Sequence, residues 1–241
     1  MTETTLSILL STAVSIGFVH TLIGVDHSLP FVALGRARGW SMARVLAVTG
    51  ACGVAHVLSS VLIGGVGIAL GVGLERLEII EGFRGTLASW MIIAFGLVWA
   101  TWAFIRGRRG HRHSHGHTHA DGTVHEHGHD HQSEHVHGHE AVGGKRLSVT
   151  AFWSLFLIFA FGPCEALIPM LMFPAMEHAW GSVALVTGVF AFTTIATMML
   201  VVGVVYAGAL RISLERFERH ADVFAGLAIA TSGAAIPLLG I

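Results

Sequence analysis

Asp26 and His27 adjoin inside the apolar stretch GVDHSLPFVAL, and 138 positions later Cys164 and Glu165 adjoin inside GPCEALIPML, after the same glycine. Carboxylate, imidazole and thiolate together suit a borderline or soft divalent ion such as nickel, cobalt or zinc. Magnesium and calcium prefer all-oxygen sites. His20 precedes this pair on the same block, and on the next block Cys52 and His56 stand four apart, on one face of a helix, with Ser59 and Ser60 a turn further on. An ionisable side chain inside a membrane span costs about 3 kcal/mol or more and marks an ion or proton route. The set read from the sequence is His20, Asp26, His27, His56 and Glu165. On an unbroken helix His20 and His27 share a face but stand about 10.5 Å apart along the axis, too far for one ion to bridge. Either the helix unwinds near Gly24, or His20 is a way-station above a site built by Asp26, His27 and His56. Pro30 and Pro169 follow the two polar pairs. A proline inside a helix withdraws a hydrogen bond from the carbonyl four residues back, here those of Asp26 and Glu165. Two half-sites facing one another across an ion path are the expectation.

A second metal-binding feature is compositional. From His111 to His139 the chain carries His111, His113, His115, His117, His119, His125, His127, His129, His131, His135, His137 and His139, interleaved with Gly, Ser, Asp and Glu. Such a tract cannot build a core and is expected to be disordered when free. Its neutral imidazoles can wrap nickel, cobalt, copper or zinc without a fixed geometry.

The elements that must position these groups are helices in a membrane. With 53% hydrophobic and only 12% charged residues, the chain falls outside the range of soluble domains. Apolar blocks near 6–34, 45–74, 86–105, 147–174, 181–210 and 221–241 are each long enough for a hydrocarbon core of about 30 Å, so six spans are expected. Several exceed that minimum, through tilt or through breaks in mid-membrane. The N-terminus lacks the features of a cleaved signal, so the first span is expected to remain in the fold. Of the fourteen Lys and Arg residues, only Arg76 and Arg84 fall between spans two and three. The other twelve lie between one and two, three and four, or five and six. The positive-inside rule then places both termini outside and the His tract in the cytoplasm of a multi-pass inner-membrane protein. The organisation expected is a three-helix repeat over 1–105, a cytoplasmic metal-binding loop over 106–146 and a second repeat over 147–241. Two cysteines inside apolar blocks make no disulfide framework.

The halves resemble one another. At an offset of 138, Thr12-Ala13 meets Thr150-Ala151, Gly24 meets Gly162, and Val48-Thr49-Gly50 meets Val186-Thr187-Gly188. Three spans per copy is odd, so the second copy must cross in the reverse sense. That is the inverted-repeat plan of secondary transporters, whose site lies near the midplane at broken helices.

His20 followed by Asp26-His27, His56 on the next span, a His-rich loop between spans three and four, and Pro163-Cys164 opening the fourth span together resemble the nickel/cobalt transporter superfamily. The resemblance implies a metal role for His20, Asp26, His27 and His56. Five residues separate His20 from Asp26 where the high-affinity permeases have four, and those permeases have more spans. The departure favours the shorter efflux or urease-accessory branches. The expected function is a secondary transporter of nickel or cobalt with efflux somewhat favoured, with Glu165 and Cys164 giving the second half-site or a proton counter-transfer group. Pro163-Cys164 also resembles the membrane thiol-electron carriers of cytochrome c biogenesis. They need a second cysteine on the first span, where this chain has Asp26. A thiol-disulfide conduit through Cys52 and Cys164 and a metal-accessory protein for a urease or hydrogenase are the alternatives. No nucleotide-binding loop or catalytic constellation points to an enzyme. No resident cofactor and no nucleic acid are expected. Metal ions and lipid are the expected partners, with a second copy of the chain or a metal-delivery protein as further candidates.

Overall fold

The computed structural model describes residues 2–108, 113–118, 124–129, 142–211 and 220–239. Outside the His tract every described element is helical: α1 (Glu3–Ile23), a 3-10 turn (Val25–His27), α2 (Leu29–Ala37), α3 (Met42–Ala69), α4 (Leu74–Arg108), α5 (Val142–Phe161), α6 (Leu167–Met176), α7 (Trp180–Leu210) and α8 (Ala221–Leu239). Among the described residues five helices, α1, α3, α4, α7 and α8, are long and apolar enough to cross a membrane. Their outward faces carry Ile8, Leu62, Val98, Phe192 and Leu200, an apolar surface that water would disfavour and lipid would not.

Two expected spans are broken. The block read as 6–34 is α1, the 3-10 turn and α2, and the block read as 147–174 is α5 and α6 with 162–166 between them. The prolines begin helices here and do not interrupt them. Pro30 is the second residue of α2 and Pro169 the third of α6, positions where a missing N–H costs nothing because first-turn donors have no helical acceptor. The Glu165 carbonyl is therefore not freed by Pro169. It accepts from the Ile168 N–H at 3.2 Å.

The third expected span also differs. It begins at Leu74, not near 86, so Glu75, Arg76, Glu78, Glu81 and Arg84 are helical. Glu and Arg are good helix formers, and two of these charges turn inward: Glu81 is fully buried and Arg84 is 8% exposed. Arg84 is thus not the loop cation that its charge-rich surroundings suggest. Within the His tract, His113–Thr118 (β1) and Val124–His129 (β2) pair antiparallel with His115 opposite His127. The residue-by-residue alternation of these two segments has the period of a strand.

Helices α4 and α8 approach main chain to main chain. A Cβ added at Gly96 would strike the backbone of Gly226 and Ala230, and one at Gly226 would lie 2.5 Å from the Ala100 nitrogen and 2.7 Å from the Gly96 carbonyl oxygen. Gly96 and Ala100 on one helix, and Gly226 and Ala230 on the other, are small residues four apart, the pattern that lets membrane helices touch main chain to main chain. At the arginine-rich end, Phe31, Leu34, Trp40, Leu155, Phe159, Val202 and Tyr206 form one apolar cluster. The Tyr206 hydroxyl donates to the carbonyls of Gly35, at 3.2 Å, and Trp40. Arg38 lies 4.5 Å over the Trp99 ring and 3.6 Å from Asp222, and Arg44 and Arg106 lie over Trp40 and Trp102 at 4.9 and 5.2 Å. Such cation–aromatic contacts suit a membrane–water boundary.

Candidate metal centre

The break after α1 solves the spacing problem between His20 and His27. The Gly24 N–H closes α1 on the His20 carbonyl at 3.0 Å, and Gly24 itself is extended, with φ −66° and ψ 95°. The turn that follows folds His27 back, so that the His20 and His27 ring centroids stand 5.1 Å apart. Helix α3 brings His56 to 5.2 Å from His27 on the other side. One ligand nitrogen from each of His20, His27 and His56 lies within 4.8 Å of the others, a group that could hold a metal ion. Two nitrogens bound to one ion at about 2.1 Å stand at most about 4.2 Å apart, so a small inward movement of the rings completes the cluster.

Gly24 is required by this fold-back. A Cβ there would press into the His27 ring, meeting Nδ1 and lying 2.9 Å from Cε1, and would lie 3.0 Å from Asp26 Oδ1. The backbone angles of Gly24 suit any residue, so the demand is for space alone. Gly24→Ala is expected to displace the imidazole and weaken cobalt(II) binding by about tenfold, the lower end for outer-sphere changes at metal sites. Titration of the purified full chain by the cobalt(II) visible spectrum checks it.

The electrostatic environment favours a cation. His27 is 4% and His56 3% exposed. Both ring nitrogens of each, and Nε2 of His20, are buried without a hydrogen-bond partner. Buried polar atoms are normally paired, and unpartnered nitrogens on three adjoining rings call for a ligand. Asp26 does not join the three-nitrogen cluster. Its Oδ1 stands 3.2 Å from His27 Nδ1, close enough for charge attraction though not aligned for a hydrogen bond. A carboxylate there orients the ring and leaves Nε2 for an ion, an outer-sphere role. Phe159 lies edge-on to His27 and His56 at 6.4 and 6.3 Å and packs on Phe31 at 4.8 Å, an apolar floor.

No protein-family model, curated protein or solved structure matches this chain. The geometry alone therefore carries the reading of the site.

A cavity of about 500 Å³ joins the three histidines and Asp26 to Gly82, Gly85, Ser89, Pro163, Glu165 and Pro237. Glu165 is exposed there, its Oε1 lying 3.5 Å from where a Cβ on Gly85 would be. Cys164 behaves otherwise. Its side chain is buried with Val57, Leu167, Leu171 and Phe190 and is not part of the cavity lining, whereas Cys52 belongs to the separate cluster around Phe31 and Tyr206. Both are free thiols. The tract residues His111, His119, His131, His135, His137 and His139 lie outside the described residues, and His113, His115, His117, His125, His127 and His129 are placed by backbone alone.

The second break carries residues that the sequence reading passes over. Arg84 and Glu81 form an ion pair. Arg84 also donates to Ser59 Oγ at 2.8 Å, to Ser60 Oγ at 3.3 Å, and to the Ala160 and Gly162 carbonyls at 3.2 Å each. Ser60 Oγ donates to Glu81 Oε2 at 2.9 Å, and the Cys164 N–H donates to Ser60 Oγ at 3.0 Å and Glu81 Oε2 at 3.1 Å. Unwound backbone at membrane depth is tolerated only where such groups are satisfied internally. A signal was present in the sequence. Leu77, Glu81, Arg84, Ala88 and Ile92 recur at helical spacing, and all are buried.

Proposed function

We propose that this chain is a secondary transporter that carries a divalent transition-metal cation, nickel or cobalt first and zinc after them, across the cytoplasmic membrane. One observation carries the reading: three imidazoles whose buried nitrogens lack hydrogen-bond partners bring one nitrogen each to within 4.8 Å of the others where the first helix is broken. Neutral imidazoles beside a carboxylate match borderline ions. The metal is the cargo, and Glu165, exposed in the same cavity, supplies a carboxylate for the second half-site or for proton exchange.

The packing supports an inverted-repeat plan. α1 packs on α7 as α5 packs on α3, α2 touches α7 and α8 as α6 touches α3 and α4, and α3–α7 and α4–α8 pair across the middle. Exchanging the halves maps these pairs onto one another, as an in-plane two-fold axis would, while the contact of α5 with α4 has no counterpart of similar extent between α1 and α8. With twelve of fourteen basic residues on the loops at one end in the sequence reading, the His tract falls in the cytoplasm, where it collects ions for export.

Nickel and cobalt accumulation in metal-loaded cells tests the proposal. Cells making the intact chain should hold less metal than control cells, and His56→Ala should abolish the difference. Raised accumulation with the same dependence on His56 would reverse the direction. Accumulation unaffected by His56→Ala would sink the transport reading. Protons compete for the ligand nitrogens, so transport by the intact chain should weaken as the pH on the metal-loading side falls.

A further inference from the structure

We infer that Glu81 and Arg84 are positioning residues for the metal centre: their ion pair ties the second break to α3 and so fixes His56 against Gly162. The inference rests on the metal reading above and extends it to two residues that touch no ion.

The contacts fall on both sides of one junction. The carbonyls of Ala160 and Gly162 are at the end of α5, where no further helical N–H arrives, and Arg84 supplies donors to both. The same guanidinium donates to Ser59, whose hydroxyl donates to the His56 carbonyl at 2.8 Å. Gly162 and His56 meet directly, since a Cβ on Gly162 would lie 3.1 Å from His56 Nδ1. Beyond Gly162, the Cys164 N–H is held by Glu81 and Ser60, and the next residue in the chain is Glu165. One buried pair therefore sets where His56 stands relative to the break, and where the chain delivers Glu165 to the cavity. Capping a helix end does not need a full ion pair. Buried pairs can often be exchanged for neutral residues with little loss of stability, so the particular contribution of this one is geometry.

The native cysteines report on it. Cys164 sits in the clamped segment, and Cys52 lies in a different apolar cluster. In the full-length chain, purified in detergent, the part of the cobalt(II) visible spectrum that disappears in His27→Ala belongs to the histidine cluster. In the charge-neutralised double variant Glu81→Gln/Arg84→Met that band should shift and cobalt(II) affinity should fall about tenfold or more. Cys164 should become reactive towards a maleimide while Cys52 stays protected, and Arg84→Lys, which keeps the charge and part of the donor set, should restore both readouts in part. A double variant with wild-type cobalt(II) band, affinity and Cys164 protection overturns the inference. Should that variant not fold, Ser60→Ala, which leaves both charges in place, must move both readouts in the same direction, and its silence overturns the inference equally. If His27→Ala removes no cobalt(II) signal, it is the metal reading that fails. The clamp is then decided by maleimide labelling alone: exposure of Cys164 with rescue by Arg84→Lys sustains it, and unchanged labelling refutes it.

Discussion

His27→Ala is expected to remove cobalt(II) and nickel(II) binding at the helical site, with affinity falling more than about 100-fold, beyond the range for outer-sphere partners. His27 adjoins both other imidazoles, with ring centroids 5.1 Å from His20 and 5.2 Å from His56, and its loss leaves only two of the three nitrogens of the cluster. It also removes the ring nitrogen that Asp26 Oδ1 faces at 3.2 Å. The titration should be followed in the cobalt(II) visible region, where an ion in a buried site of few ligands absorbs more strongly than a hydrated one. A variant that keeps the intense band with wild-type affinity would place the ion elsewhere. The effect should exceed that of Gly24→Ala, which moves the ring but leaves it present.

Glu81→Ala is expected to destabilise the fold strongly. It leaves the Arg84 guanidinium buried without its counter-charge and removes an acceptor from Ser60 and from the Cys164 N–H. Breaking a buried pair from one side costs about 3–5 kcal/mol, which for a chain of this size corresponds to a fall in Tm on the order of 10 °C. Thermal unfolding of the purified protein in one detergent at constant pH measures it. Glu81→Gln/Arg84→Met should lose much less, because no unpaired charge remains. A Glu81→Ala protein as stable as the parent would mean that the pair is solvated in the folded state.

The histidine cluster was legible because ionisable residues inside apolar blocks have few packing explanations. The His20–His27 spacing posed a geometric choice, and the extended Gly24 resolves it in favour of unwinding. The prolines were a poorer guide. They mark the breaks, but as residues that start α2 and α6, not as interruptions inside a span. Cys164 aligned with Asp26 under the offset of 138 and so read as a ligand. In the folded chain its thiol turns into an apolar cluster, and its backbone N–H makes the polar contacts. Glu81 and Arg84 were missed for a different reason. A stretch with five charges between residues 75 and 84 looks like a loop to any hydropathy window, and only pairing across elements makes two of them interior residues. Linear sequence shows where charges are, and burial depends on partners that it does not display.

The glycine seam between α4 and α8 has a mechanical consequence. Two rods whose main chains touch at Gly96 and Gly226 have no side-chain cushion to shear, so they behave as one stiff strut. That strut carries the Glu81–Arg84 pair and, through Gly82, Gly85, Ser89 and Pro237, one wall of the cavity. In the transport proposed above, any movement that presents the histidines to one face or the other would pivot against this frame. The joints available for such a lever are the unwound turns at Gly24 and Gly162, with the short helices α2 and α6 as its arms.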